Sequence, residues 1–197
     1  MTNYEKKILN DLLDRFERSK SFIGSNKVNQ RFSVKLAKLF PTYDDEAKYE
    51  PYIAIMDAME KLESKQYVTV TLQKNGIPDS VALNTQMLQQ IYAALGRIPK
   101  ADVNETLRRI LLQYRSQNEV LQTYCNEQLE RLAHNKKVEF FDAEREMSEY
   151  ENILKAVSQI FDVDEETYIR DFSVRVWLNP EFCVNAKQRI NENKDCL

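Results

Sequence analysis

The first half of the chain alternates between stretches with helical hydrophobic spacing and stretches of turn-forming residues. Residues 4–18 place apolar side chains on one side of a helix: Ile8, Leu9, Leu12, Leu13 and Phe16. Residues 19–30 contain glycine, serine and asparagine and predict a break. A short second helix is predicted over Phe32–Phe40. A third helix is predicted to begin near Pro51, since proline is tolerated in a first helical turn.

A β-hairpin follows these three helices. Residues 67–72 (YVTVTL) and 80–84 (SVALN) alternate between the two sides as half-buried strands do. The segment between them contains Asn75-Gly76, which is typical of hairpin turns. An isolated hairpin is only marginally stable in water, so it must pack on the preceding helices. Three helices and then a hairpin is the order of a winged helix, which we predict for residues 1–96.

The second half of the chain is predicted to be almost entirely helical. Gly96 and Pro99 interrupt the pattern, and residues 101–135 then predict one long helix or a tight pair. Another helix is predicted over residues 140–161, and residues 171–177 (DFSVRVW) alternate as a strand does. We therefore expect a mainly α fold with a small β-hairpin. Its predicted parts are a winged-helix-like domain (1–96), a helical arm or assembly region (97–176) and a polar tail (177–197).

Composition supports this fold class and adds an asymmetry of charge. Only three of the 197 residues are glycine, whereas strand-rich folds need glycine at turns with positive φ. The formal net charge of −3 argues against a nonspecific nucleic-acid coat. Residues 15–38, however, carry a local net charge of +6, and residues 139–171 carry −8. Such a chain can meet two partners of opposite sign or pair its own ends in an oligomer, although two solvated helix faces would give the same pattern.

Cysteine usage and hydropathy indicate the compartment. The three cysteines (Cys125, Cys183 and Cys196) are an odd number without CxxC spacing, which argues against a disulfide framework or a structural zinc site. The first residues contain no continuous hydrophobic segment, and no run approaches the about 20 apolar residues of a membrane span. We therefore expect a cytoplasmic protein that has no membrane contact and no cofactor.

Catalytic motifs are missing from the sequence. It contains no GxxxxGK(S/T), GxGxxG, GxSxG or HExxH. The single histidine, His134, falls near a predicted helix end, where a cation complements the helix dipole. The many carboxylates between Glu139 and Glu166 fit solvated helix faces and a helix-capping loop better than a metal site, which requires convergence on one point. We predict no catalytic residue and no metal ligand, and a metal-dependent nuclease using these carboxylates is the third-ranked hypothesis.

The ten tyrosines suggest a covalent nucleophile of the topoisomerase kind as a hypothesis. Such a nucleophile works beside a metal-binding carboxylate domain, and the sequence supplies none. Four of the ten tyrosines fall at helical spacing that fits half-buried packing: Tyr92, Tyr114, Tyr124 and Tyr150.

Contact with DNA would have to avoid the third predicted helix. That helix usually enters the major groove in winged-helix proteins that read DNA. Here it is rich in aspartate and glutamate, which phosphate would repel. The better candidate surface is the basic stretch together with the hairpin turn, and it would contact the DNA backbone without reading sequence. Its residues are Arg15, Arg18, Lys20, Lys27, Arg31, Lys35, Lys38 and Lys74. Protein contact through the same residues is an equal alternative.

Several segments resemble one family of defence proteins. They are NYEKKILNDLLDRFER (3–18), SNKVNQRFSVKLAKLFP (25–41), VTVTLQKNG (68–76), NKKVEFFD (135–142) and EETYIRDFSVRV (165–176). Together they resemble the N-terminal region of the nuclease subunit of bacterial Wadjet anti-plasmid systems, the JetD family. The resemblance spans most of residues 1–176 and contains no catalytic motif.

This resemblance implies a particular function. In that family a helical arm and a winged-helix-like part precede a metal-binding Toprim nuclease domain. The dimeric subunit is recruited by an SMC-type motor complex. After the predicted strand at 172–176 the family would continue with a Gly-Asp-Ser-Lys-like turn, but this sequence continues Trp177-Leu178-Asn179-Pro180. The resemblance therefore implies a non-catalytic, homodimeric assembly module that binds SMC-complex subunits and the DNA backbone. The alternative is a winged-helix transcription regulator that dimerises through its C-terminal helices.

Overall fold

Two compact units make up the chain. The computed structural model describes residues 1–19, 22, 30–41, 49–74, 76–141, 147–160, 168, 171, 172 and 174. The units are Met1–Val103 and Asn104–Leu197. Within the described part of the chain, every helix is too short or too polar to cross a lipid bilayer.

The first unit combines helices with a small antiparallel sheet. In chain order its elements are α1 (Asn3–Glu17), β1 (Ser33–Lys35), α2 (Leu36–Leu39), α3 (Tyr49–Ser64), β2 (Val68–Leu72), β3 (Pro78–Leu83), a 3-10 turn (Thr85–Met87) and α4 (Leu88–Leu95). The strands lie in the order β1-β3-β2, and both pairings are antiparallel. This order of elements and strands is that of a winged helix. The expected mainly α fold with a small β-hairpin is confirmed.

One predicted helix is wrong in its first half. Residues 32–40 were expected to be helical, but Ser33–Lys35 is a strand and only Leu36–Leu39 is helical. Val34 is buried between two exposed neighbours, which is the period-two pattern of a strand. Because β1 pairs with β3, from Ser33 opposite Ala82 to Lys35 opposite Ser80, a contact distant in the sequence decides its conformation.

The core of the first unit is organised around α1. The helix fully buries four side chains: Ile8, Leu9, Leu12 and Leu13. They belong to one cluster with side chains from the other helices and the sheet, including Leu36, Leu62, Val81 and Ile91. Thr2 begins the helix as its N-cap, where its Oγ1 accepts the backbone N–H of Glu5 at 3.2 Å. The predicted first helix is confirmed, and burying its apolar stripe joins the helices to the sheet.

A buried carboxylate fastens the end of α1 to the segment after α4. Glu17 is 6% exposed, and its Oε1 accepts the hydroxyl of Tyr92 at 2.6 Å. Its Oε2 accepts Nη2 of Arg97 at 2.5 Å, and Arg97 also bridges to Asp14 at 2.7 Å. The backbone N–H of Lys100 donates to Glu17 Oε1 at 3.4 Å. A buried charge needs such partners because burial removes its hydration.

The electrostatics of this cluster follow from its geometry. Burial would lower the pKa of Arg97, but the hydrogen bonds and charges of Asp14 and Glu17 outweigh it and raise the pKa. Burial also raises the pKa of Tyr92, and its hydrogen bond to Glu17 raises it further. Burial lowers the pKa of Lys100. The carboxylate thus stabilises a guanidinium and a neutral phenol at the same time.

The open edge of the sheet is partly closed by a side chain of α3. Glu63 Oε1 accepts the backbone N–H of Val70 in β2 at 3.0 Å. Unpaired N–H groups on an edge strand are templates for pairing with another chain. Glu63 therefore has a structural role on the acidic third helix.

The second unit contains three helices in its described part. They are α5 (Lys100–Tyr114), which begins in the first unit, α6 (Glu119–Ala133) and α7 (Met147–Ile160). The chain breaks at Asn118, whose Oδ1 caps α6 by accepting the N–H of Leu121 at 2.8 Å. Residues 101–135 therefore form two helices and not one long helix. The helix predicted over 140–161 begins later, since Phe140 has φ 58° and α7 starts at Met147.

The strand predicted over residues 171–177 is wrong where the structure describes it. Asp171, Phe172 and Val174 are helical, and the N–H of Phe172 donates to the carbonyl of Tyr168 at 3.0 Å. That is the spacing of a helical turn. An alternating pattern forms a strand only beside a partner strand, and the described residues of the second unit contain none. The predicted tail over 177–197 lies outside the described residues.

We expect removal of the Glu17 carboxylate to destabilise the protein strongly. Glu17→Ala leaves the partly buried Tyr92 hydroxyl without its acceptor and Arg97 with one carboxylate in place of two, so the free energy of unfolding should fall by about 3 kcal/mol. Asp57→Ala is the matched control, because the Asp57–Lys61 pair is largely exposed and its loss should change the free energy of unfolding much less. Urea unfolding measures both, and equal losses would contradict a structural role for the cluster.

Candidate nucleic-acid interface

The sheet of the first unit has one apolar and one polar face. Val34, Val68 and Val81 are buried, which places them on the face toward the helices. Side chains alternate along a strand, so their neighbours share the opposite, outer face. Two rows cross this outer face in register: Ser33, Ala82 and Thr69 form one, and Lys35, Ser80 and Thr71 form the other. The outer face is thus rich in hydroxyl groups.

Arg31 lies across this outer face. It precedes β1 by two residues, and its Nη2 donates to Thr71 Oγ1 on β2 at 3.0 Å. Because β3 lies between β1 and β2, the side chain must cross β3 to make this contact. Ala82 on β3 is only 4% exposed although it belongs to the outer face. A small residue at this position leaves room for the arginine stem.

The charge of the outer face is positive. Arg31 and Lys35 are its cations, and none of the six register positions holds a carboxylate. Asp79, next to Ser80, is the nearest acidic residue along β3 and lies at the irregularity of the β2–β3 pairing. Neither cation forms an ion pair with another described residue. Two cations with adjacent hydroxyl donors are the groups that proteins use to contact phosphate oxygens.

The other predicted cations lie elsewhere. Arg15 is on α1 and Arg18 is the C-cap of that helix, and each pairs with the carboxylate four residues earlier: Asp11 at 2.5 Å and Asp14 at 3.8 Å. Lys38 is exposed on α2, and Lys74 is exposed in the hairpin turn. Lys20 and Lys27 lie outside the described residues. Of the predicted stretch, the structure brings Arg31 and Lys35 together on one face.

The hairpin turn is short and hydrogen-bonded. The N–H of Gly76 donates to the carbonyl of Gln73 at 3.0 Å, and the N–H of Gln73 donates to the carbonyl of Ile77 at 2.7 Å. Gly76 has φ 81°, a conformation that side chains with a Cβ rarely adopt. Lys74 lies in this turn, at the end of the sheet.

The third helix presents acidic groups to solvent. Asp57 and Glu60 are exposed, and Lys61 is held by Asp57 at 2.6 Å, so the cation is locally neutralised. The hydrogen bond to Asp57 and its charge raise the pKa of Lys61. These carboxylates would face phosphate if α3 entered a groove, and they oppose that approach.

In the second unit, polar side chains join the segment after α6 to the helix itself. Gln128 is fully buried, and its Oε1 accepts the N–H of Glu139 at 2.9 Å. Arg131 bridges to Glu139 at 3.0 Å and donates to the carbonyl of Lys137 at 2.9 Å. His134 caps α6, as predicted, with its Nδ1 2.9 Å from the carbonyl oxygen of Glu130.

A polar pocket of about 370 Å³ lies beside these residues. Arg131 and Glu139, which line it, form an ion pair with each other. Among the described residues, no three carboxylate, histidine or cysteine side chains converge on a metal position. Most of the acidic residues of 139–171, including Asp142 and Asp162–Glu166, lie outside the described part.

The tyrosines of the second unit pack as predicted. Tyr114 and Tyr150 are buried, and the hydroxyls of Tyr124 and Tyr150 lie 3.1 Å apart. Burial raises the pKa of Tyr150 and raises that of Tyr124 to about 12. Burial also raises the pKa of the Cys125 thiol to about 11. A nucleophile requires the opposite shift, so these groups stabilise packing.

Comparison with protein-family models, with curated proteins and with solved structures found no match.

Sequence reasoning missed the hydroxyl residues of the outer face. The sequence patterns place Thr69, Thr71 and Ser80 in strands without indicating a role for them, and they place Ser33 in a helix. A signal was present in the sequence: Arg31, Ser33 and Lys35 alternate with Phe32 and Val34. That alternation is the mark of a strand with one buried face.

We expect the second unit to lose stability in alkali because of its buried tyrosines. The folded state holds Tyr124 neutral to a pKa of about 12, above the ordinary value of about 10. Its contribution is therefore complete below about pH 10 and is lost as the pH rises toward 12. An alkaline pH titration that follows tyrosinate absorbance and circular dichroism in parallel should show that these tyrosines ionise at the pH at which the unit unfolds. Tyr124→Phe should flatten the alkaline loss, and ionisation of all ten tyrosines in a folded chain would contradict the assignment.

Proposed function

We propose that the first unit binds the DNA backbone through the outer face of its sheet. The observation that carries the proposal is Arg31 lying across β3 onto Thr71, beside Lys35 and on a face without a carboxylate at its register positions. Positive side chains that neutralise phosphates release counterions, which drives binding without regard to sequence. Hydroxyl and guanidinium donors fix the orientation of the backbone. The role is that of a non-catalytic binding and assembly module.

The acidic third helix supports backbone binding over sequence reading. A transcription regulator of the winged-helix class would place α3 in the major groove and contact base edges. The exposed Asp57 and Glu60 make that approach unfavourable. The regulator remains the second candidate, and it requires binding to one promoter sequence that survives moderate salt.

The second unit is proposed as the assembly arm. The sequence resemblance to the JetD family supports a place beside an SMC-type motor in plasmid defence, and the strongly acidic segment 139–171 supports a partner with a basic surface. In this proposal a homodimer positions two DNA-binding units on one partner complex.

We expect DNA binding to depend on Arg31 and Lys35. The double variant Arg31→Ala, Lys35→Ala should weaken binding to duplexes of any sequence. It should also lower the slope of log affinity against log salt concentration by about 2, one for each lost phosphate contact. Fluorescence anisotropy with a labelled duplex over a salt series measures both quantities.

Arg15→Ala, Arg18→Ala is the matched control, since it removes the same charge from positions already paired with aspartate. Its salt slope should equal that of the unmodified protein. Circular dichroism verifies that both double variants fold. An unchanged slope in the Arg31, Lys35 variant would exclude the sheet face as the interface.

We expect the full chain to be retained by a subunit of an SMC-type complex in a pull-down with purified components. The Arg31→Ala, Lys35→Ala variant should be retained equally, because the partner surface is assigned to the second unit. Absence of binding to every subunit would refute the defence-system role while leaving DNA binding to be judged by its own assay.

A further inference from the structure

Three arginine side chains surround an exposed leucine on α5. Leu112 is 48% exposed, and its neighbours on the helix surface are the residues three and four positions away. Three of these four neighbours are Arg108, Arg109 and Arg115, and all three are exposed. We call Leu112 and the three arginines the arginine–leucine face. It belongs to the second unit.

The helix holds this face in one arrangement. The other side of α5 is buried and fixes the rotation of the helix, through Leu107, Ile110, Leu111 and Tyr114. Arg115 follows the last residue of α5, and its N–H donates to the carbonyl of Leu111 at 3.0 Å, so it continues the helical turn. Arg108 and Arg115 are therefore about 10.5 Å apart along the helix axis, with Leu112 between them.

The positive charge of the arginine–leucine face is not balanced within the described part of the chain. None of its guanidinium groups forms an ion pair with another described residue, whereas Arg15, Arg97 and Arg131 each pair with a carboxylate. The nearest exposed carboxylate along α5 is that of Glu105, one turn before Arg108. Three like charges within two turns of a helix repel one another. A negatively charged partner would relieve that repulsion.

The leucine favours a protein partner over DNA. Arginine by itself suits phosphate oxygens as well as carboxylates. A phosphate backbone, however, offers no apolar surface to Leu112. Protein interfaces combine an apolar centre with arginine, which is enriched among the residues that contribute most to binding. The arginine–leucine face therefore fits a helix that carries an apolar side chain between two carboxylates.

We propose that the arginine–leucine face of α5 docks an acidic amphipathic helix of a partner protein. This inference rests on the proposed function, because it names the surface by which the second unit meets its partner. Carboxylates at positions i and i+7 of the partner helix accept hydrogen bonds from Arg108 and Arg115, since seven residues span the same distance in both helices. An apolar residue at i+4 packs on Leu112. One helix buries a small area, so the contact is transient and sensitive to salt.

Fluorescence anisotropy of two labelled synthetic helices tests the proposal with the full chain. The acidic helix carries a leucine between two glutamates at the stated positions, and in its counterpart lysines replace both glutamates. The unmodified protein should bind the acidic helix, and it should bind the lysine counterpart more than about tenfold more weakly. The double variant Arg108→Glu, Arg115→Glu should reverse this preference, and its binding of the counterpart would show that it is folded.

Two further variants separate the apolar contact from the net charge. Leu112→Ala should bind the acidic helix about tenfold more weakly, because the apolar centre of the contact is lost. Lys136→Glu, Lys137→Glu is the matched control, since it makes the same change of charge at exposed positions of the same unit outside α5. Its affinity for the acidic helix should equal that of the unmodified protein. An equal loss in the control would overturn the assignment to α5.

The remaining outcomes separate this surface from the other proposals. No binding of the acidic helix by the unmodified protein, or equal binding by the Arg108, Arg115 variant, overturns the docking surface and leaves the DNA interface of the sheet standing. A lower DNA salt slope in that variant, without binding of the helix by the unmodified protein, would assign the face to DNA and also overturn it. Absence of binding to every SMC-type subunit refutes only the defence role, because the synthetic helix tests the surface without them.

Discussion

The antiparallel pairing of β1 with β3 is the contact on which the candidate interface depends. Three residues form β1, and their register with β3 fixes which side chains face the helices and which face solvent. Val34 enters the core, and Lys35 consequently points outward beside Ser80. A slip of one residue would bury the lysine and expose the valine, at a cost that the core does not tolerate. The energy of hydrophobic burial thus positions the cationic face.

The second constraint is the separation of charge within the first unit. On α1 and after α4, the cations form ion pairs with carboxylates. Arg97, for example, pairs with both Glu17 and Asp14. On the outer face of the sheet, Arg31 donates instead to a neutral hydroxyl. A guanidinium bound to a hydroxyl keeps its full charge and several donors for a phosphate, whereas one bound to carboxylate does not. The partners thereby distinguish the cations that stabilise the fold from those that we propose to bind phosphate.

Sequence patterns could predict the helices with strong periodicity and the hairpin, because these depend on local spacing and turn chemistry. Both wrong assignments involve strands. Phe32–Phe40 holds too few residues to separate period two from period 3.6, and only the contact with β3 resolves it. Residues 171–177 have the alternation of a strand, yet the described ones form a helical turn in a unit that offers no strand to pair with. The local excess of basic residues identifies Arg31 and Lys35 as candidates, but it does not distinguish them from Arg15 and Arg18. Only the structure shows that the latter two are paired with aspartate side chains.

Nonspecific backbone binding is compatible with a chain of net charge −3 because the charges are segregated. Phosphate within a Debye length of about 8 Å experiences the nearby Arg31 and Lys35 far more than distant carboxylates. Within the same unit, the exposed Asp57 and Glu60 of α3 oppose the approach of phosphate to that helix. In the proposed binding, the net charge limits the strength of the overall attraction, and the distribution of charge selects the face that contacts the duplex. An acidic protein with one small cationic face is therefore expected to bind weakly alone and firmly when an assembly presents two such faces at once.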